Sequence, residues 1–173
     1  LIMFLGDYLH NIQSDYKKFF FSGISFNSNK TVKDNIFFAI KGNKIDGTNF
    51  IPHAIKNGAK IIITEHENEG LKNNILYIKT KNIRKLLAEI SFKIYNKIPK
   101  NIIAVTGTNG KSSVADFYYQ ILKLNNKKVA SIGTLGVKST NINLNLSNTT
   151  IDPIKLGKIL TRLKSKKIEN IIM

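Results

Sequence analysis

Apolar side chains fall into short unbroken runs and longer runs with helical spacing, and the two kinds alternate along the chain. Ser22–Phe26 and Asn35–Ile40 are β-like, the second continuous enough (Ile36-Phe37-Phe38-Ala39-Ile40) to predict a buried strand. Phe50–Asn57 reads as a short helix closed by Gly58 as its C-terminal cap. Lys60–Thr64 and Ile75–Ile78 follow as strands, with the acidic, polar stretch Glu65–Asn74 read as the loop between them. Thr80 then caps a helix reaching Asn96, with Ile83, Leu86, Leu87, Ile90 and Ile94 on one core-facing stripe.

Asn96-Lys97-Ile98-Pro99-Lys100 breaks that helix and is read as a linker, which divides the chain into domains over 1–98 and 99–173. The second block opens with Asn101–Val105, expected to be a buried strand. A glycine-rich turn and a helix-like run, Val114–Leu124, come next, with apolar residues at Val114, Phe117, Tyr118, Ile121 and Leu122. Lys128–Ile132 is the next strand. Asn141–Ser147 alternates Asn with Ile or Leu, the period of a half-exposed strand. Asp152-Pro153 is an N-cap followed by proline at the first helical position, and the helix it starts runs to about Lys164. Ile168–Met173 begins another strand. Strands alternating with helices predict an α/β class: a small mixed block, then the first part of a parallel sheet of the doubly wound kind, with ligands at the carboxyl ends of its strands. Because the chain stops at Met173 within a run that reads as a buried strand, a fragment of something longer is expected.

Composition narrows the function classes. A chain of 173 residues, 42% hydrophobic and 22% charged, can bury a real core. No apolar run approaches the roughly 18 residues of a membrane span, and Leu1–Leu5 is too short for a signal segment. Absence of cysteine removes disulfide and thiolate chemistry and agrees with a cytoplasmic protein. The formal charge of +16 raises nucleic acid as a partner. Against it, nearly all the positive charge is lysine, scattered through every segment, with Arg84 and Arg162 the only arginines. A nucleic-acid reader concentrates charge on one face and uses arginine forks. Lys/Asn/Ile bias explains the balance, and the surplus still steers a polyanionic nucleotide. A basic nucleic-acid-binding module is the alternative from another class. No membrane insertion is expected, and the chain is read as a monomer.

The chemistry sits in Gly107-Thr108-Asn109-Gly110-Lys111-Ser112-Ser113, between a strand and a helix start. Gly107 and Gly110 let the backbone bend so that its N–H groups point inward, and the helix start adds partial positive charge. Lys111 can reach the outer phosphates of ATP, and the Ser112 hydroxyl can ligate Mg²⁺. The commonest spacing, G-x-x-x-x-G-K-[ST], would put glycine at position 105, where this chain has Val105. His53 is expected to be structural or exposed, and His10 and His66 to be surface residues. Asp116 serves local electrostatics, with a place near the metal as the alternative.

That spelling resembles the Mur ligase family, ATP-dependent amide-forming ligases of peptidoglycan precursor synthesis. Further segments resemble, in order, the branch that adds the third residue of the stem peptide. Ser22–Asn29 stands where that branch has an Asp-Ser-Arg segment, with Asn27 and Asn29 replacing the acid and the arginine. Val32–Gly42 is similar to its Gly-Asp-Leu-Phe-like turn, and Asp46–Ile55 to Asp-Gly-His-x-Phe-Ile-x-x-Ala. Gly58-Ala59, Ile132-Gly133-Thr134-Leu135-Gly136 and Asn148-Thr149-Thr150 complete the set, and Ile151 stands where Pro or Gly is common. The sibling MurF branch usually has Ser after the loop's first glycine. Folylpolyglutamate synthetases share the loop but leave the N-terminal block poorly explained. Both remain as alternatives.

The resemblance implies an N-terminal domain that binds the UDP-sugar and the incomplete beginning of a central ATP-binding domain. It implies a cytoplasmic ligase that adds meso-diaminopimelate or L-lysine to UDP-MurNAc-L-Ala-D-Glu through an acyl phosphate, serving cell-wall growth, cell shape and division. ATP and Mg²⁺ are the implied cofactors. Gly107, Thr108, Asn109, Gly110, Lys111, Ser112 and Ser113 are implied for ATP, Lys111 as catalytic and Ser112 as metal ligand. Phe26, Ser28, Asn43, Lys44 and Ile45 are implied for the UDP-sugar, and Asn148, Thr149 and Thr150 for the muramoyl-dipeptide. The other metal ligands, a histidine and the amino-acid-binding domain lie in the family beyond the equivalent of Met173, so these residues alone are expected to give no ligase turnover.

Overall fold

The computed structural model describes residues 2–43, 45–134, 136–139, 143–144 and 151–173. It divides into two compact units, Leu1–Lys93 and Ile94–Met173.

The first unit runs β1 (Met3–Phe4), α1 (Leu5–Tyr8), β2 (Phe20–Phe21), β3 (Gly23–Ser25), β4 (Asn35–Phe38), α2 (Ile51–Lys56), β5 (Ile61–Thr64), β6 (Gly70–Lys72), β7 (Ile75–Lys79) and α3 (Ile83–Ile94). Short 3-10 turns at Ser28–Lys30 and Gly47–Phe50 lead into the segments after them. Its main sheet has the order β3-β4-β5-β7-β6, with β3, β4, β5 and β7 parallel and β6 antiparallel at the edge. Every residue of β4 and of β5 is buried. Phe37 and Ile62, paired in register, pack with Ala39, Ile51, Ala54 and Ala59 against α2. Their alternates Ile36, Phe38, Ile61 and Ile63 are fully buried on the other face, as a parallel sheet covered on both sides requires.

Two expectations change here. Glu65–Asn74 is not all loop, because β6 pairs with β7 through Asn73 and Asn74, both at positive φ (48° and 63°). That is the two-residue hairpin turn whose twist matches paired strands, and asparagine tolerates it. The α3 helix starts later than Thr80 suggested. Asn82 Oδ1 accepts from the Lys85 amide at 2.9 Å and acts as the cap, while Glu65 Oε1 accepts from the Ile83 amide at 3.1 Å.

The second unit contains β8 (Asn101–Ile103), α4 (Lys111–Leu124), β9 (Val129–Gly133), β10 (Gly136–Ser139), β11 (Asn143–Leu144), α5 (Pro153–Ser165) and β12 (Asn170–Ile172). The described strands order as β11-β10-β9-β12-β8; β9, β12 and β8 are parallel, and β10 folds back antiparallel on β9. Ala130, Ile132, Val137 and Ile171 pack against Ile159, Leu160 and Leu163 of α5. On the opposite face Val129 and Ile172 pack against Tyr119 of α4. This is a three-layer arrangement, with β12 buried as expected. β8 corrects the reading of Asn101–Val105 as a buried strand. Among the described strands it lies at the sheet edge, beside β12 alone, and Ile102 and Ile103 are 38% and 39% exposed. Asn141–Ser147 is described only at Asn143–Leu144, which pair with β10.

The α4 helix is apolar on two sides. Ala115, Tyr118, Tyr119 and Leu122 turn to the sheet, whereas Val114, Phe117, Ile121 and Leu124 are 53–81% exposed. No helix among the described residues is long and apolar enough to cross a membrane. The α5 helix starts where Asp152-Pro153 predicts: Asp152 Oδ1 accepts from the Lys155 amide at 2.8 Å. Replacing Asp152 with Ala is expected to destabilise the second unit by about 1 kcal/mol, read as a lower urea midpoint with unchanged slope.

Candidate functional site

In the second unit the turn 107–110 comes after the carboxyl end of β8, the end at which open α/β sheets place ligands. Gly107 and Gly110 have φ of +151° and +76°, and Gly110 is the N-cap of α4 with no side-chain hydrogen bond. Only glycine adopts the first of these values readily. The first-turn N–H groups, those of Lys111, Ser112 and Ser113, have no carbonyl partner within the helix. Together with the aligned peptide dipoles they make a positive terminus. Lys111 folds over the turn: its ammonium donates to the Gly107 carbonyl and, at 3.1 Å, to the Thr108 carbonyl. The whole stretch 107–113 is exposed. Among the described residues nothing lies within 4 Å of where a Gly110 side chain would project. The turn is curled and open. Asp116 pairs with Lys138 at 3.8 Å and accepts from Gln120, in line with a local electrostatic role.

The first unit brings two sequence-expected stretches to one end of its sheet. Phe26 and Ser28 come after β3, Asn43 and Ile45 after β4, and the two strands are parallel neighbours. Phe26 and Ile45 are 40% and 60% exposed, whereas Ser28 is buried. Asn27, where the family has an acid, still shapes the turn: its Oδ1 accepts from the Asn29 amide at 2.9 Å, and its carbonyl accepts from Ser25 Oγ and Thr31 Oγ1. Neutral amide and carboxylate serve equally as that acceptor. From α2, His53 Nδ1 lies 3.0 Å from Ser28 Oγ, and Asn57, the C-cap of α2, donates from Nδ2 to the Ser28 carbonyl at 2.8 Å. His53 is exposed, and so are His10 and His66. Lys44, Asn148, Thr149 and Thr150 lie outside the described residues.

The second stretch is tied off by residues to which the sequence alone assigned no role. Gly42 N–H donates to the Ile45 carbonyl at 2.9 Å, and Gly47 N–H to the Ile40 carbonyl at 3.1 Å. A side chain at Gly47 would meet the Ile40 carbonyl oxygen at 2.4 Å, so that crossing requires glycine. Asp46 Oδ1 accepts from the Thr48 amide at 2.9 Å and the Thr48 hydroxyl at 2.8 Å. The signal was the Asp-Gly-Thr spelling, an N-cap pattern. A separate hollow of about 460 Å³, lined by Lys18, Phe19, Phe20, Lys60, Leu71 and Asn74, includes none of the expected site residues.

A glycine turn between a parallel strand and an uncapped helix start, with a lysine folded over it, defines an α/β protein of the phosphate-binding-loop class. Residues 105–173 match the Mur ligase middle domain, and residues 21–95 match the Mur ligase family, catalytic domain. The chain belongs to the Mur ligase family. The UDP-N-acetylmuramoyl-L-alanyl-D-glutamate–2,6-diaminopimelate ligase of Rickettsia prowazekii (strain Madrid E) is 40% identical over 164 residues, covering 92% of this chain and 34% of that one. A solved structure of a ligase of the same name superposes with a TM-score of 0.78 at 25% identity, covering 99% of this chain and 35% of the other. MurF ligase from Thermotoga maritima, in complex with ADP, gives 0.51 at 26% identity, over 86% of this chain and 30% of that one. The chain spans about a third of the length of the curated relatives it matches.

The Thr48 hydrogen bonds, backbone first and side chain second, hold the Asp46 carboxyl below the usual carboxylate range, with smaller help from Lys41 and His66. Because the folded value is depressed, this contribution to stability is complete above the ordinary carboxylate range and is lost as pH falls through the lowered value. An NMR titration is expected to give Asp46 a midpoint below that of aspartate in an unstructured peptide. A midpoint at or above the peptide value would contradict this closure of the loop.

Proposed function

We propose that this chain supplies the nucleotide-sugar and ATP-phosphate ends of a ligase that joins UDP-N-acetylmuramoyl-L-alanyl-D-glutamate to 2,6-diaminopimelate. The observation that carries it is the turn 107–110, curled at the carboxyl end of β8 and opening onto the unpartnered N–H groups of α4. The names of the relatives support the choice of substrates, and the higher TM-score of the diaminopimelate ligase favours that branch over MurF. In this reading residues 1–98 form the UDP-sugar-binding domain and 99–173 the first part of the ATP-binding domain. The reaction belongs to the cytoplasm, where both nucleotides are available.

A carboxylate and a triphosphate repel each other, so the reaction needs positive charge and fixed alignment before it needs anything else. A carboxylate oxygen of the D-glutamyl group bonds to the γ-phosphorus and ADP leaves. The amine then attacks the acyl carbon, phosphate leaves, and the nitrogen gives up a proton. Lys111 exchanges the Gly107 and Thr108 carbonyls for phosphate oxygens, and the N–H groups of Lys111, Ser112 and Ser113 receive the rest of the charge, with Thr108 and Asn109 shaping the cradle. Among the described residues no cluster of three His, Asp or Glu could hold a metal ion. The exposed Ser112 hydroxyl, at the start of α4 beside the turn, fits Mg²⁺ as one ligand beside phosphates and water, the mode in which that ion usually binds nucleotides. Bound there, Mg²⁺ would neutralise charge on the transferring phosphate. Phe26, Ser28, Asn43, Lys44 and Ile45 are assigned to the UDP-sugar, and Asn148, Thr149 and Thr150 to the muramoyl-dipeptide.

Lys111→Ala tests the assignment. Its bonds in the structure are to its own turn, so the helix content and melting temperature are expected to hold. ATP affinity is expected to fall roughly ten- to a hundredfold, the scale of a lost charge-assisted contact. Unchanged affinity by calorimetry would remove the phosphate-loop reading.

A further inference from the structure

We infer that His53 is a positioning residue for the nucleotide-sugar site, acting through the hydroxyl of Ser28; this deepens the proposed substrate reading and rests on it. His53 on α2 and Asn57, the residue that caps the carboxyl end of α2, stand four residues apart, the spacing that puts two side chains on one side of a helix. Both reach the same residue of the segment after β3. His53 Nδ1 meets Ser28 Oγ at 3.0 Å, and Asn57 Nδ2 donates to the Ser28 carbonyl at 2.8 Å. The Thr31 amide shares that carbonyl at 3.2 Å, which closes the 3-10 turn. Ser28 is thus held from both ends, hydroxyl and backbone, by a helix seated on the buried core of β4 and β5 through Ile51 and Ala54. Asn27 fixes the turn from within; α2 fixes it from outside.

Ser28 is only 6% exposed, and its hydroxyl meets the His53 ring. A serine hydroxyl offers one O–H and two lone pairs, and it rotates freely unless something fixes it. The ring nitrogen fixes it. When Nδ1 is unprotonated the hydroxyl donates to the ring and presents lone pairs elsewhere. When Nδ1 carries a proton it donates to Oγ, which frees the serine O–H for an acceptor such as a uracil carbonyl or a phosphate oxygen. Position 53 therefore decides which hydrogen-bonding face Ser28 shows to a ligand. Local sequence does not reveal the pair, because its members are 25 residues apart.

The test titrates UDP-N-acetylmuramoyl-L-alanyl-D-glutamate into the 173-residue chain and into two variants. His53→Ala is expected to weaken binding roughly three- to tenfold, the scale of one hydrogen bond. His53→Asn, whose amide places a polar atom where Nδ1 stood, is expected to restore affinity to within about twofold on the same scale. If His53→Ala binds as the wild type does, or if His53→Asn is as weak as His53→Ala, the hydrogen bond does not position the site and the inference is overturned. If the wild-type chain itself fails to bind, the substrate reading is overturned and the inference goes with it.

Discussion

A parallel sheet covered on both faces has nowhere inside for polar chemistry, and that exclusion dictates the layout of this chain. β4 and β5 are buried at every position, and β12 is buried between β9 and β8. Burying a residue such as Ile62 or Ile171 is worth about 1.5–3 kcal/mol against leaving it in water, while an unpaired polar group in the same place costs a comparable amount. The polar residues are accordingly driven to the strand ends. Parallel pairing then sends successive carboxyl ends to the same side, which is how the segments after β3 and β4 become neighbours although β4 and a turn separate them along the chain.

The segments beyond the strand ends are held by short-range polar bonds instead of packing. Asp46 with Thr48, Gly47 against Ile40, Asn27 with Asn29, and Lys111 over Gly107 each span only a few residues. Such bonds are worth little singly in water, but they fix backbone direction where no side chain is large enough to do so. The α2 helix adds the longer-range tie through His53 and Asn57. Shape at the strand ends is thus set locally and anchored to the core at few points.

The features legible from sequence were those whose cause is local. Asp152-Pro153 encodes a helix start within two residues, and the glycines at 107 and 110 encode their own backbone conformation. Ile36–Ala39 signals burial because four apolar residues in a row leave no face for water. Where the cause is a neighbour far along the chain, the reading failed. Ile102 and Ile103 look like core residues, but an edge strand has only one flank. Gly70–Lys72 has no apolar alternation and is a strand only because β7 lies beside it, the pair announced by Asn73-Asn74 alone. Met3–Phe4 finds Phe20–Phe21 across a span of chain that carries no periodic signal. For the candidate site, the curl of the glycine turn 107–110 could be spelled out residue by residue. The Ser28–His53 contact could not, since a hydrogen bond between loop and helix leaves no trace in spacing.

The second apolar flank of α4, Val114, Phe117, Ile121 and Leu124, makes the solution behaviour of this polypeptide a contest between two surface forces. Oily ladders of that kind attract one another at contact distance, while a formal charge of +16 repels identical molecules from farther out. Repulsion reaches about 10 Å at 0.1 M salt and about 3 Å at 1 M. Colloidal stability is therefore set by ionic strength: dilute buffer keeps the chains apart, and concentrated salt lets their greasy flanks meet.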